Sequence, residues 1–261
     1  MDKSIRLTIA AIVLMLSATS ANAGIIGIDN IHGFGGDAIL GSGSDFVQFR
    51  TAIQNQGHTI QLLSSFDAAD LIGLDAVILN TPYSQNSANY TGGEIAAVNS
   101  FASDRAAFVG DSSLWQDVGA GSDRDISFGD NQLLLENIVN WIVQDRGALF
   151  LGEDGTGFDV TNMNLMTANY GVSFSNTPVD GDGRTVTGFV AHPVTAGVST
   201  IGVDFHLPMT IGGGATDLTI GSDNDNVLAV YEVASVPEPG MLALLAVGLA
   251  GIGLSRRKQA S

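Results

Sequence analysis

The chain predicts an α/β domain: a parallel sheet with helices on both faces, plus a β-rich C-terminal extension of the sheet. Short apolar runs alternate with stretches of helical period at the spacing of βαβ units. Beyond Gly171 the helical period stops and only short β-type runs follow. No solenoid period and no low-complexity tract interrupts this order.

Residues 24–29 (GIIGID) form an apolar run closed by an acid, read as a buried strand, and a Gly-rich loop follows over 30–44. Over 45–56, Phe46, Phe49 and Ile53 share one helical face, with Gly57 as the stop. Residues 58–63 and 75–80 are the next two strands, the second closed by Thr81-Pro82. Thr91 and Glu94 have the spacing of a capping box and open a helix that turns Ile95, Val98, Phe101 and Ala102 inward. Ala106–Gly110 is strand four. The strongest helix runs over 130–146, with Leu134, Ile138, Trp141 and Ile142 in phase and Gly147 just after it. Strand five is 148–152, and 161–170 is a helix ended by Gly171. The later runs, Val172–Phe174, 184–190, 203–206, 216–221 and 227–233, are extra strands, some antiparallel, extending one edge.

Both ends differ from this body. Lys3 and Arg6 precede an apolar run over 7–16, and Ala21-Asn22-Ala23 offers small residues for cleavage. Residues 1–23 are therefore a secretory signal peptide, cut after Ala23, and the body is one domain over 24–235. At the other end, Val236-Pro237-Glu238-Pro239-Gly240 leads into an uncharged apolar run over 241–254, then Arg256-Arg257-Lys258. Pro237 and Pro239 break any helix entering from the body. The run falls short of the roughly 20 residues of a full span. Gly248, Gly251 and Gly253 nonetheless suit a membrane helix better than a soluble one. The basic cluster would hold such a helix with the body outside.

A plain one-pass anchor is one reading of that tail. Its three ordered parts over 236–261 resemble the PEP-CTERM sorting signal of Gram-negative bacteria, with Pro237, Glu238 and Pro239 as the sorting motif. The resemblance implies that an exosortase-type membrane transpeptidase recognises the tail while its short transmembrane helix sits in the inner membrane. Cleavage near Pro239 would then leave the protein at the cell surface or outside the cell, often in producers of exopolysaccharide.

Charge narrows the partners. Of ten Lys and Arg, the body keeps only Arg50, Arg105, Arg124, Arg146 and Arg184, and it has no lysine. Of 27 Asp and Glu, all but Asp2 and Glu238 lie in the body, whose net charge is about −20. Nucleic acid and anionic lipid surfaces are poor partners for such a body, and divalent cations or basic ligands are better ones. There is no cysteine, hence no disulfide, no thiolate metal site and no cysteine nucleophile.

The body carries a second likeness. Asp29 and His32 form an Asp-x-x-His loop after the first strand, Tyr170-Gly171-Val172 follows a helix, and residues 192–198 read His-Pro-Val-Thr-Ala-Gly-Val. Together these resemble the class I glutamine-amidotransferase-like domains of flavodoxin type, in their non-glutaminase branch. The chain departs from the glutaminases at strand four, where Gly110-Asp111-Ser112-Ser113-Leu114 lacks the cysteine. His192-Pro193-Val194 likewise lacks the glutamate of a His-Pro-Glu partner. Thiolate glutamine hydrolysis is excluded on residue type.

Open α/β sheets take ligands outside the carboxyl ends of their strands. Asp29, His32, Asn80, Asp111, Ser112, Ser113, Glu153 and Asp154 fall at such ends. A serine hydrolase would use Ser112 (or Ser113) as nucleophile, His192 or His32 as base, and an acid such as Asp29 to orient it. Leu114 stands where the elbow pattern G-x-S-x-G wants its last glycine. A divalent metal site would draw on Asp29, His32 and Asp111, with His192 as a further donor. Asp180-Gly181-Asp182-Gly183, Asp223-Asn224-Asp225-Asn226 and Glu153-Asp154-Gly155 are oxygen-rich turns that suit Ca²⁺ or plain solvation, and none completes an EF-hand loop. Gly33-Phe34-Gly35-Gly36 fits no phosphate-loop pattern and Asp37 would repel an anion, so nucleotide binding is rejected. Trp141 is core by phase, whereas Trp115 sits in a loop where it could stack on a carbohydrate. His58 and His206, at strand ends, read as structural or surface residues. The balance favours a non-catalytic or ligand-binding surface or matrix protein over the hydrolase.

Overall fold

The computed structural model describes residues 23–32, 40–82, 89–110, 113–119, 122, 125–154, 159–177, 184–203, 206–220 and 226–233. Outside them lie most of the signal peptide, the whole sorting tail, Gly33–Gly36 of the first loop, Asp111, Ser112, and the acidic turns at 180–183 and 223–225.

In chain order the first elements are β1 (Ile25–Asp29), α1 (Val47–Asn55), β2 (Thr59–Leu63), β3 (Ala76–Asn80), α2 (Gly92–Asp104), β4 (Ala106–Gly110), α3 (Asn131–Gln144) and β5 (Gly147–Leu151). Then come β6 (Glu153–Asp154), α4 (Val160–Thr167), β7 (Val172–Phe174), β8 (Arg184–Thr187), β9 (Thr200–Val203), β10 (His206–Leu207), β11 (Met209–Ile211), β12 (Thr216–Asp217) and β13 (Leu228–Glu232). Five parallel strands lie in the order β2-β1-β3-β4-β5, that of flavodoxin-type doubly wound sheets. β13 pairs antiparallel with β5, and β12 with β13, making a mixed sheet of seven.

Side chains alternate across this sheet. Ile26, Ile28, Ile78, Phe108, Leu149 and Leu151 pack with Phe49 and Ile53 of α1 and Leu134 and Ile138 of α3. Val77, Leu79, Val109 and Phe150 enter a second cluster, with Val98 and Ala102 of α2 and Met163 and Met166 of α4. Because helices cover both faces, β3, β4 and β5 are buried at every position. Apolar runs without alternation in the sequence are the consequence.

The predicted strands and helices of the first half are found with shifts of one or two residues at their ends. Gly147 is the clearest shift, being the first residue of β5 rather than a helix stop. Its φ of 135° brings it against β13, where an added Cβ would lie 1.9 Å from the Tyr231 carbonyl oxygen. The extension differs more. Among the described residues only β12 and β13 extend the central sheet, while β8–β9, β7–β11 and β6–β10 form separate two-stranded antiparallel pairs. Each face claims its own pair: Val186, Ile201 and Val203 pack with the α3 side, Phe174 and Met209 with the α4 side. The single strand expected over 203–206 is therefore split between β9 and β10, which pair with different partners.

Ile138 is fully buried between α3 and the sheet. Ile138→Ala should lower unfolding stability by about 2–5 kcal/mol, read as a lower urea midpoint at unchanged slope. A loss below about 0.5 kcal/mol would contradict this packing.

Candidate functional site

The carboxyl edge of the parallel sheet is organised around Asp29, the last residue of β1, which is completely buried. A buried carboxyl group must be met by donors, and five converge on it. Oδ1 accepts from the backbone N–H groups of Ile31 (2.9 Å) and His32 (3.0 Å), which folds the chain back just past the strand. Oδ2 accepts from His32 Nδ1 at 2.8 Å, from the Tyr90 hydroxyl, and from the Asn80 N–H at 3.4 Å. The Asn80 carbonyl oxygen lies 2.8 Å from the same tyrosine hydroxyl. The His32 ring is buried against Tyr90, with centroids 3.8 Å apart and planes tilted by 32°, and Phe66 lies against both rings, 6.2 Å from His32 and 5.5 Å from Tyr90.

Tyr90 is itself held from the backbone. Its N–H donates to Asn162 Oδ1 and its carbonyl accepts from Asn162 Nδ2, which clips it to the first turn of α4. It immediately precedes the capping box of α2, formed as the sequence predicts: Thr91 Oγ1 accepts from the Glu94 N–H, and Glu94 Oε2 from the Thr91 N–H. Glu94 Oε1 also accepts from the Phe66 N–H at 3.0 Å, tying α2 to the segment after β2. Burial pushes the Glu94 carboxyl up. The backbone N–H groups of Thr91 and Phe66, the Thr91 hydroxyl and nearby His32 together outweigh it and hold the group below its ordinary value.

Asp29 and His32 are thus brought together as the Asp-x-x-His spacing suggests. His192 is elsewhere. Its Nε2 lies 3.3 Å from Glu232 Oε1, and Glu232 faces Gly147 at the beginning of β5, on the amino edge of the sheet. The sheet lies between His192 and Asp29, so these two do not share a site. What His192 does is local: its Nδ1 accepts from the Val194 N–H, and Thr195 Oγ1 accepts from the His192 N–H. The His-Pro-Val-Thr segment is a capping box on a short 3₁₀ turn. Asp145, on the same edge, is raised above its ordinary value by burial and then by Glu232, against the opposing pull of His192.

Ser112 and Asp111 lie outside the described residues, and Ser113 begins a 3₁₀ turn just past β4. As for metals, His32 Nδ1 is a donor to Asp29 rather than a free ligand atom. Among the described residues no three His, Asp or Glu side chains gather in a way that would hold an ion. Trp115 corrects an expectation: it is fully buried, its ring between Phe49 and Phe108 and its Nε1 donating to the Asn131 carbonyl, so it cannot stack on a carbohydrate. Its place in a loop beside Asp117 and Gly119 suggested exposure, but the ring fills the space between α1 and β4.

Sequence reasoning missed Tyr90 and Asn131. An aromatic residue ahead of the Thr91 cap, with Ile95 at the fourth helical position, is the hydrophobic-staple pattern and was the available signal for Tyr90. Asn131, fully buried at the start of α3, donates to the carbonyls of Leu114 and Asp125 and accepts from the Gly202 N–H. A cleft of about 300 Å³ between residues 68–74 and the last turns of α2 lies on the amino edge, away from Asp29.

The fold and this edge define an α/β domain of doubly wound order with a closed polar knot beside β1. Residues 235–258 match the PEP-CTERM protein-sorting motif. That motif marks an exported protein handled by an exosortase, anchored at the membrane before processing and at the cell surface afterwards. No curated protein matches the chain. Among solved structures, one described as "mmIFT52 N-terminal domain" is similar over 80% of this chain and 80% of its own, at 13% identity and a TM-score of 0.49.

Because Glu94 has a lowered folded pKa, its contribution to stability is complete above the ordinary carboxylate range. That contribution is lost as pH falls from there through the lowered value. Glu94→Gln presents an amide N–H to one of the two groups of donors, and should cost about 1–3 kcal/mol at pH 7. The gap to the parent protein should shrink on approach to about pH 3. Urea unfolding at both pH values measures it, and a gap independent of pH would contradict the assignment.

Proposed function

We propose that this protein is an exported surface or matrix component whose α/β body acts by binding rather than by catalysis. Its tail is cut near Pro237-Glu238-Pro239 by an exosortase-type transpeptidase. The observation that carries the reading is the sorting motif at 235–258. The leader over 1–23 and the body over 24–235 complete it, the body being akin to amidotransferase-like domains that have lost the glutaminase cysteine. The strand order and the sequence at 110–114 support that kinship.

The chemistry of the edge favours binding. A general base must reach a proton on a substrate, whereas Asp29 and His32 are buried and spent on each other, on Tyr90 and on backbone amides. The ligand we favour is a carbohydrate or another small molecule of the matrix, taken at the carboxyl edge where doubly wound sheets bind. A divalent ion such as Ca²⁺ is the cofactor compatible with a body this acidic.

The 2.8 Å contact of His32 with Asp29 favours one other reading, a secreted hydrolase in which Asp29 orients His32 and Ser112 is the nucleophile. His192 has no part in it. Hydrolysis by the exported protein that disappears in both Ser112→Ala and His32→Gln would establish this second reading.

Replacing Pro237, Glu238 and Pro239 together by alanine should leave the tail uncut and the chain in the membrane fraction. The parent protein recovered from the surface or medium should show an intact mass ending near Pro239. Normal processing of the triple variant would sink the exosortase reading.

A further inference from the structure

The start of β1 is built in an unusual way. Ala23 is exposed, Gly24 just past the proposed cleavage point is buried, and after an exposed Ile25 the strand is buried from Ile26 on. The Gly24 N–H donates to His58 Nδ1 at 3.1 Å, and the next N–H, of Ile25, donates to Asp75 Oδ2 at 2.8 Å. The Gly24 carbonyl accepts from the Thr59 N–H. Above Gly24 sits Val143 of α3, whose Cγ1 would be 2.7 Å from any Cβ added there, so the position takes glycine alone without rearrangement. His58 is only 6% exposed, and its Nε2 has no partner among the described residues.

We propose that this pocket is the seat of the mature amino terminus: cleavage after Ala23 turns the Gly24 amide into an ammonium held by His58 Nδ1 beside the Asp75 carboxylate. The inference rests on the export reading above, and it adds what becomes of the new terminus. Three donors replace one, and a positive charge meets an acceptor nitrogen and a carboxylate already aimed at the strand's first residues. The groups facing Gly24 are His58 from the start of β2, Asp75 ahead of β3 and the uncharged Val143 from α3. Burial holds His58 below its ordinary pKa, against the opposing pull of Asp75, which leaves the ring neutral and able to accept at neutral pH. Processing would thereby fasten the strand whose other end carries Asp29.

The body offers a clean test because it has no lysine, so between residues 24 and 235 the α-amine is the sole primary amine. The full chain, exported through its own leader, is recovered and its first residue read by N-terminal sequencing. Its α-amine is then acylated at pH 7, and peptide mass mapping separates that label from any on Lys258. The expected result is Gly24 as first residue, labelled about tenfold more slowly than a free Gly-Ile-Ile peptide, the effect of holding the amine as ammonium by one further pKa unit. His58→Phe should restore the peptide rate, and His58→Gln, which keeps an acceptor oxygen, should retain most of the protection. A parent protein that begins at Gly24 yet labels at the peptide rate overturns the seat while leaving export intact. A first residue other than Gly24 overturns it at its premise, and full protection in His58→Phe removes His58 from it.

Discussion

A carboxyl group buried at the end of a central strand can be tolerated only if hydrogen-bond donors are brought to it. Asp29 imposes that demand on the whole carboxyl edge. Its donors come from the turn after β1, from the end of β3 and from the entry to α2. Tyr90, which answers it from 61 residues away, is in turn clipped to α4 by Asn162. Helices on one face of the sheet are thus registered against the strand ends by polar contacts, not by apolar packing alone. Fully satisfied buried networks of this kind select one arrangement among many of similar apolar burial.

The same feature shows where a sequence can be read and where it cannot. β1 and β3 to β5 were legible because burial on both faces leaves uninterrupted apolar runs. The phase of α3 and the Thr91–Glu94 capping box were legible because both are local. Asp29 and His32, three residues apart, were visible as a pair, but Tyr90 was not, since nothing local says which distant hydroxyl will arrive. His192 shows the opposite failure. Its motif stood out, yet whether a loop in the β-rich extension falls on the carboxyl or the amino edge depends on how the short strands pair. Those strands are two to five residues long, too short for their own patterns to choose a partner, and two of them, β9 and β7, pack against α3 and α4.

β1 is pinned from both directions. At its carboxyl end Asp29 gathers donors; at its amino end Gly24 and Ile25 give theirs to His58 and Asp75. Between these points Gly27 lets Leu63 and Leu74 approach so closely that a Cβ would meet each at 2.7 Å. The strand lies between β2 and β3, so fixing it fixes both neighbours and, through them, the helices on each face.

This economy bears on how an exported protein can do without cysteine. Proteins outside the cytoplasm often rely on disulfides when the core is too small to hold the chain. The described residues bury two apolar clusters, one on each side of the sheet, a core large enough to hold the chain without such a staple. Where the apolar clusters end, at the strand termini, water and alternative pairings would compete most strongly. Those are the places where Asp29, Glu94, Asn131 and His58 are buried, each joining elements far apart in sequence. Polar cross-links at the edges of the sheet do the tethering that disulfides do elsewhere. The acidic body, with five arginines and no lysine, carries the charge to keep neighbouring molecules apart or to meet cation-bearing partners.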